Sequence, residues 1–237
     1  MIKPSSIVVA LLVLCVFSAK AQQTNDTTFV VAAKDNAVQF YTQTIGVQSR
    51  LFEGSDYKEY IAQRDEFPYL NDDVVYGSVK YAGEVYKNIP LYYDLEKDQV
   101  ITSYPFGNKV QLLREKVEYF DIGGHKYVLL QNTKVQDGFY DLLYDGKMKF
   151  YVHRQKVPVL KVNSNGSEAT RTFEERVKYF ILKNGAFHTV RSKGSVMGLL
   201  KDKKKDLKKA LRTEKVRFGQ ERERSITLLL KNYERIQ

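Results

Sequence analysis

Two stretches decide the fold: Phe139–His153, FYDLLYDGKMKFYVH, and Arg176–Arg191, RVKYFILKNGAFHTVR. Each sets runs of Tyr, Phe, Val and Ile on both sides of a turn dipeptide, Asp145-Gly146 in the first and Asn184-Gly185 in the second. A type I′ hairpin needs two consecutive residues at positive φ, and Asp-Gly and Asn-Gly supply them. The aromatic and β-branched residues beside them favour a pleated, half-buried strand. Both stretches therefore predict antiparallel hairpins. The pattern continues towards the N-terminus. Val75–Tyr81 ends at Ala82-Gly83, and Glu84–Ile89 ends at Pro90. Leu91–Asp94 and Gln99–Ser103 flank a charged turn, Lys109–Phe120 stops before Gly123-Gly124, and Lys126–Gln131 follows. Turn signals at this spacing predict an antiparallel meander of about nine or ten strands.

After Ser192 the apolar period becomes helical. Ser192 can cap a helix carrying Val196, Leu199 and Leu200, and Asp202 can cap a second with Leu207, Ala210 and Leu211 on one face. A last helix, Glu221–Arg235, places Ile226, Leu229, Leu230 and Tyr233 at helical spacing. Before the strands, Ala33–Thr44 reads as a helix, Ser49–Tyr57 as a turn and Tyr57–Gln63 as a short amphipathic stretch. The polar segment Asn163–Ser167 reads as a loop. The expected fold is α+β: an N-terminal helical segment, a curved antiparallel β meander, and two or three basic helices at the C-terminus.

The chain has 237 residues, 43% hydrophobic and 28% charged, which excludes collagen-like and wholly disordered readings. Its start, Met1-Ile2-Lys3 followed by the apolar run Ile7–Phe17 and then Ala19-Lys20-Ala21, predicts a cleaved secretory signal over residues 1–21. The apolar run is too short to cross a bilayer as a helix. Cleavage there would remove Cys15, leaving no cysteine nucleophile or thiolate metal site. Residues 22–191 then form a helical segment plus β domain, and residues 192–237 a basic helical appendage.

The charge is uneven. The whole chain carries +10, and Lys201–Gln237 holds 13 Lys and Arg against 6 Asp and Glu. The expected contact surface is therefore Lys201, Lys203, Lys204, Lys205, Lys208, Lys209 and Arg212. In an exported protein its counterpart would be an anionic lipid headgroup or an acidic envelope protein; nucleic acid is excluded by compartment. Catalytic signatures are missing. His125, His153 and His188 have no partner at ligand spacing, and Asp137, Asp141 and Asp145 lack the two-residue steps of a calcium loop. Glu115, Glu118 and Glu174-Glu175 read as solvated faces. No cofactor is expected, and no catalytic, cofactor or metal residue is assigned. Two alternatives stay open: an apolar-ligand carrier lined by residues such as Tyr76, Tyr81, Tyr86, Tyr92 and Tyr93, and an envelope enzyme revived by a histidine brought beside carboxylates in the fold.

A series of elements also resembles a group of exported Bacteroidota proteins with no known activity. It runs through Ser49–Tyr57 (SRLFEGSDY), Tyr76–Tyr81, Asn88–Asp94 (NIPLYYD), Gly138–Gly146 and Leu199–Leu207. Asp26-Thr27-Thr28 is similar to the short O-glycosylation acceptor of that phylum. The resemblance implies export and envelope residence and transfers no functional residue. The leading expectation is a non-catalytic interaction or structural protein of the periplasm or the periplasmic face of the outer membrane.

Overall fold

The computed structural model describes residues 30–34, 36–37, 50–60, 66–104, 107–162 and 169–236. The signal segment, the second half of the expected Ala33–Thr44 helix and the Asn163–Ser167 loop lie outside the described residues. Of the compact unit Met1–Thr44, residues 30–34 and 36–37 are helical and exposed. The described strands and the C-terminal helices belong to the unit Ile45–Gln237.

Its described strands form an 11-stranded antiparallel sheet, so the α+β class holds at that level. The strands are β1 (Ser55–Asp56), β2 (Val75–Tyr81), β3 (Glu84–Asp94), β4 (Gln99–Ser103), β5 (Lys109–Gln111) and β6 (Val117–Ile122). They continue with β7 (His125–Leu130), β8 (Gly138–Asp145), β9 (Lys149–Val162), β10 (Ala169–Lys183) and β11 (Ala186–Thr189). Three helices follow: α1 (Lys193–Leu199), α2 (Lys204–Thr213) and α3 (Arg222–Arg235).

The sheet is not one meander. Its order is β1-β5-β4-β3-β2-β6-β7-β8-β9-β10-β11, so β2 sits between two runs and the chain crosses from β5 back to β6. Lys109–Phe120, expected as one strand, is broken by a 3₁₀ turn at Arg114–Lys116 that makes this crossing, and Lys116 O accepts the Ala82 N–H at 2.8 Å. Conversely, β3 runs through Pro90 without stopping. Asn88 takes φ 52° at a bulge, where the register against β2 shifts between Gly77 and Ser78. Gly77 must be glycine, because a Cβ there would lie 2.1 Å from Asp121 O on β6.

The two-residue turns Ala82-Gly83, Gly123-Gly124 and Asn184-Gly185 all have paired positive φ, as a type I′ hairpin requires. Asp145-Gly146 does not form such a turn. The loop is Gly146–Met148, closed by Asp145 against Lys149, and Glu234 of α3 occupies the space beside it. Glu234 accepts from Met148 N at 2.8 Å and from Tyr144 OH at 2.9 Å, and a Cβ at Gly146 would lie 2.5 Å from its Oε2. The Ser49–Tyr57 segment, expected as a turn, forms a 3₁₀ turn at Arg50–Phe52 and then strand β1. Residues 57–60 are not helical; they lie along β5, where Tyr57 N donates to Lys109 O at 3.0 Å.

The sheet curls. Four strands separate β3 from β9, yet Lys156 N on β9 donates at 3.2 Å to Leu95 O in the β3–β4 turn. Phe139 N of β8 donates at 3.3 Å to Asp98 of the same turn. Tyr93, Phe120, Tyr127 and Phe139 fill the interior, with ring centroids 4.9 Å apart for the Phe120–Tyr127 stack and 5.2 Å for the Phe120–Phe139 edge contact. A second core joins Phe150, Val152 and Ile181 of the sheet to Val196, Leu200, Leu207, Leu211, Ile226, Leu229, Leu230 and Tyr233 of the helical region. Apolar burial on this scale, about 25 cal/mol per Å², fixes the helices to the sheet.

His153 is 1% exposed, stacked 4.6 Å from Tyr140, with Nδ1 unpartnered. Burial first, then the charges of Lys178 and Arg114, lower its pKa from 6.5 to about 4. The unfolded chain binds this proton near the ordinary value, so His153 costs stability as pH falls from 6.5 towards 4. The loss is on the order of 3 kcal/mol. Burial raises the carboxyl pKa values of Asp98 and Asp141, so these groups act in the opposite sense and lose stability as pH rises through their titration. The melting temperature is expected to fall between pH 7 and 4.5, and the fall should largely vanish in His153→Phe. An equal fall in that variant would place the acid lability elsewhere.

Candidate functional site

The helical region begins with a capping box. Ser195 N donates to Ser192 Oγ at 3.2 Å, and Ser192 N donates to Ser195 Oγ at 3.1 Å. Lys183 of β10 donates to Leu199 O at 2.9 Å, satisfying a terminal carbonyl of α1. Lys201–Lys203 is a 3₁₀ turn. Asp202, expected to cap α2, instead accepts the Tyr233 hydroxyl at 3.2 Å and so ties this turn to α3. The N-cap of α2 is Lys203, which makes no side-chain cap bond.

The sequence of α2 sets its orientation. Leu207 and Leu211, one turn apart, are buried against the sheet and α3, and five of the remaining positions carry cations. Lys201, Lys204, Lys205, Lys208, Lys209 and Arg212 are all exposed, and Lys203 is half-buried. Among the described residues none of these seven forms an ion pair. By contrast, several cations of the body are paired: Lys80 with Glu118 at 2.7 Å, Lys109 with Glu59 at 3.0 Å and Arg114 with Asp98 at 3.1 Å.

The helix ends in a Schellman motif. Val216 N donates to Leu211 O, and Lys215 N donates to Arg212 O, each at 3.1 Å. Lys215 occupies the left-handed position at φ 53°, where glycine is the usual residue. Beyond this end opens a cleft of about 570 Å³, lined by Lys193, Lys208, Arg212, Lys215 and Arg217 around Leu211 and Val216. Lys208 and Arg212 were expected at a contact surface. Lys193 was not, because it lies 15 residues before Lys208 and reaches the cleft only through the α1–α2 packing.

A second cluster sets a histidine beside carboxylates, the arrangement that the enzyme alternative calls for, although no particular pair is expected from the sequence. His125 Nδ1 lies 2.8 Å from Asp141 Oδ2, which also receives Arg154 Nη2 at 3.2 Å; the same Arg154 nitrogen reaches Glu223 of α3 at 2.9 Å. His125 and Asp141 meet because Tyr127 pairs with Asp141 across β7–β8, which places His125 on the adjoining diagonal of the same face. Spacing along the chain carries no signal of such a register. The pair could orient an imidazole for proton transfer. Its carboxylate is already compensated by Arg154, however, and the bonded chain ends on α3, so its evident effect is to hold the start of that helix on the sheet. Among the described residues no cluster of three or more His, Cys, Asp or Glu has metal-binding geometry.

The tyrosines considered as a cavity lining divide. Tyr81, Tyr86 and Tyr93 are buried in the interior core, Tyr92 lies beneath the Lys109 ammonium at 4.5 Å, and Tyr76 is 64% exposed. Among the described helices none is long and apolar enough to cross a membrane. No protein-family model matches the chain, and no curated protein or solved structure matches it.

Arg154 bridges two carboxylates with its side chain 14% exposed, and Asp141 is fully buried. Removing one partner strands the other. Arg154→Met is expected to lower unfolding free energy by about 3 kcal/mol in urea titration. The double variant Arg154→Met/Asp141→Leu should recover part of that loss. A double variant no more stable than the single one would show that the cluster gains nothing from charge pairing.

Proposed function

We propose that the protein is a non-catalytic component of the cell envelope that docks on an anionic surface through the cationic face of α2. One observation carries the reading: six exposed, unpaired cations on a single short helix and the turn before it, held outward by the burial of Leu207 and Leu211. A helix selected only for stability would alternate its charges. Like charges three and four residues apart, such as Lys204–Lys208, Lys205–Lys209 and Lys209–Arg212, each cost about 0.2–0.5 kcal/mol. Asp206 is the single acid within the helix, and none of these cations is ion-paired among the described residues, so a partner outside the fold is the natural counter-charge. Near an anionic membrane each such side chain contributes roughly 1 kcal/mol.

Envelope residence rests on the N-terminal leader pattern and on the resemblance to exported Bacteroidota proteins. The counter-surface proposed is the anionic headgroup layer of a membrane leaflet; an acidic protein face would share the charge but not the lipid dependence. Lys204, Lys205 and Lys209 point away from the buried side, and Lys204→Glu and Lys205→Glu put acids at the start of α2, where the helix dipole favours them. The triple variant Lys204→Glu/Lys205→Glu/Lys209→Glu should therefore fold as well as the parent.

In co-sedimentation with vesicles of phosphatidylglycerol and phosphatidylcholine, the parent is expected to pellet at low salt and be released by about 0.5 M sodium chloride, where screening is nearly complete. The variant should remain in solution at all salt concentrations. Equal pelleting of the two proteins would refute the docking reading.

A further inference from the structure

The cleft at the end of α2 differs from the rest of the cationic face. Five cations, Lys193, Lys208, Arg212, Lys215 and Arg217, converge on one concavity, and no carboxylate lines it. The neighbouring groove between α2 and α3 shows what an ordinary surface looks like: Asp206 and Glu214 there balance Lys209 and Arg235. We infer that the cleft is a binding site for a doubly charged phosphoryl group, a phosphomonoester or a diphosphate. The inference rests on the docking reading above and names what the surface recognises.

Three features argue for it. First, the cleft volume of about 570 Å³ falls in the range of small-ligand sites and exceeds a single ion, so a phosphoryl group with an attached sugar or glycerol fits. A concave wall of low polarity, here Leu211 and Val216, focuses the field of the surrounding cations. Second, three last-turn carbonyls of the helix end beside the cleft are engaged. The carbonyls of Ala210, Leu211 and Arg212 already accept from Glu214, Val216 and Lys215, so their negative ends are engaged rather than free to repel an anion. Third, Lys215 holds a left-handed conformation that glycine would occupy without strain. Its side chain supplies a charge to the cleft, which is the evident return for that strain. Arg212 and Arg217 add planar forks suited to phosphate oxygens, while the lysines act as point charges. Five cations match a dianion better than the single charge of a phosphodiester headgroup.

The test is calorimetric titration of the full-length mature protein with pyrophosphate, alongside Lys215→Gly/Arg217→Gln. Glycine suits the backbone at 215, so this variant should melt no lower than the parent. Its affinity should fall by at least tenfold, the loss expected from removing one or more charged hydrogen bonds. Absence of pyrophosphate binding, or an unchanged affinity in the variant, would overturn the inference.

Two further arms identify the source of the phosphoryl group. If pyrophosphate displaces the protein from vesicles containing phosphatidic acid, the group belongs to a lipid headgroup; if it binds without displacing, the ligand is a free phosphorylated molecule. The readings also fail separately. Pyrophosphate binding without any vesicle association removes the docking role and keeps the cleft. Association with phosphatidylglycerol vesicles without pyrophosphate binding removes the cleft and keeps the docking role.

Discussion

The fold depends on the acidic turn between β3 and β4. Asp94 is fully buried and accepts four hydrogen bonds: Tyr57 and Tyr60 hydroxyls at 2.8 and 2.9 Å, and the Glu96 and Lys97 amides at 2.9 and 3.0 Å. Burial drives the Tyr57 and Tyr60 hydroxyls far above their ordinary pKa, so both remain donors to this carboxylate. Four residues later Asp98 takes φ 55° and accepts from Tyr93 OH at 2.6 Å, from Phe139 N and from Arg114. Between them, Leu95 donates to Pro68 O and accepts from Lys156 N. One turn thus fastens the strap before β2, the crossing before β6, and strands β8 and β9. A bare carboxylate in that position would be prohibitively costly. Fully satisfied, it fixes the turn from which Leu95 and Asp98 reach β9 and β8 across the curled sheet.

The far end of the curled sheet offers Phe150, Val152 and Ile181 as an apolar floor, and the helices are shaped by that floor. Glu234 reaches the β8–β9 loop and Glu223 reaches Arg154, so the two ends of α3 are pinned by charged bonds while its middle is held by Ile226, Leu229 and Leu230. The acids of α3 are therefore turned inward to the sheet. The cations of α2 have no such task. This division, more than the net charge itself, is why the positive field concentrates on one helix.

The strands were legible wherever chemistry was local. Three positive-φ dipeptides fixed three hairpins, and Ser192 declared the start of α1. What was not legible depended on distant partners. Pro90 reads as a stop, but its missing N–H is harmless beside the Asn88 bulge, and β3 continues. The crossing at Arg114–Lys116 depends on β2 being free on its second edge, which no local pattern encodes. Asp145-Gly146 reads as a tight turn, yet Glu234, far along the chain, claims the glycine for close approach. The basic face was visible as composition, but its cleft was not, because Lys193 joins it through helix packing. The His125–Asp141 contact needs the β7–β8 register, and register is set by the whole sheet.

The same separation explains how α2 tolerates its composition. An isolated helix with this many like charges, no N-cap bond and a strained C-terminal residue would not form in water. Its stability comes from outside: Leu207 and Leu211 enter the shared core, Tyr233 grips Asp202 at one end, and Val216 folds over Leu211 at the other. Fixing the ends and the apolar stripe by tertiary contacts frees every other position from the duty of making the helix. Five of those positions are filled by cations that repel one another, and Lys215 takes a conformation that glycine would accept more readily. The net bias of these positions is towards positive charge, with Asp206 the one acid within the helix. Balanced charges would pack equally well and cost less, so packing and helix stability alone do not require that bias.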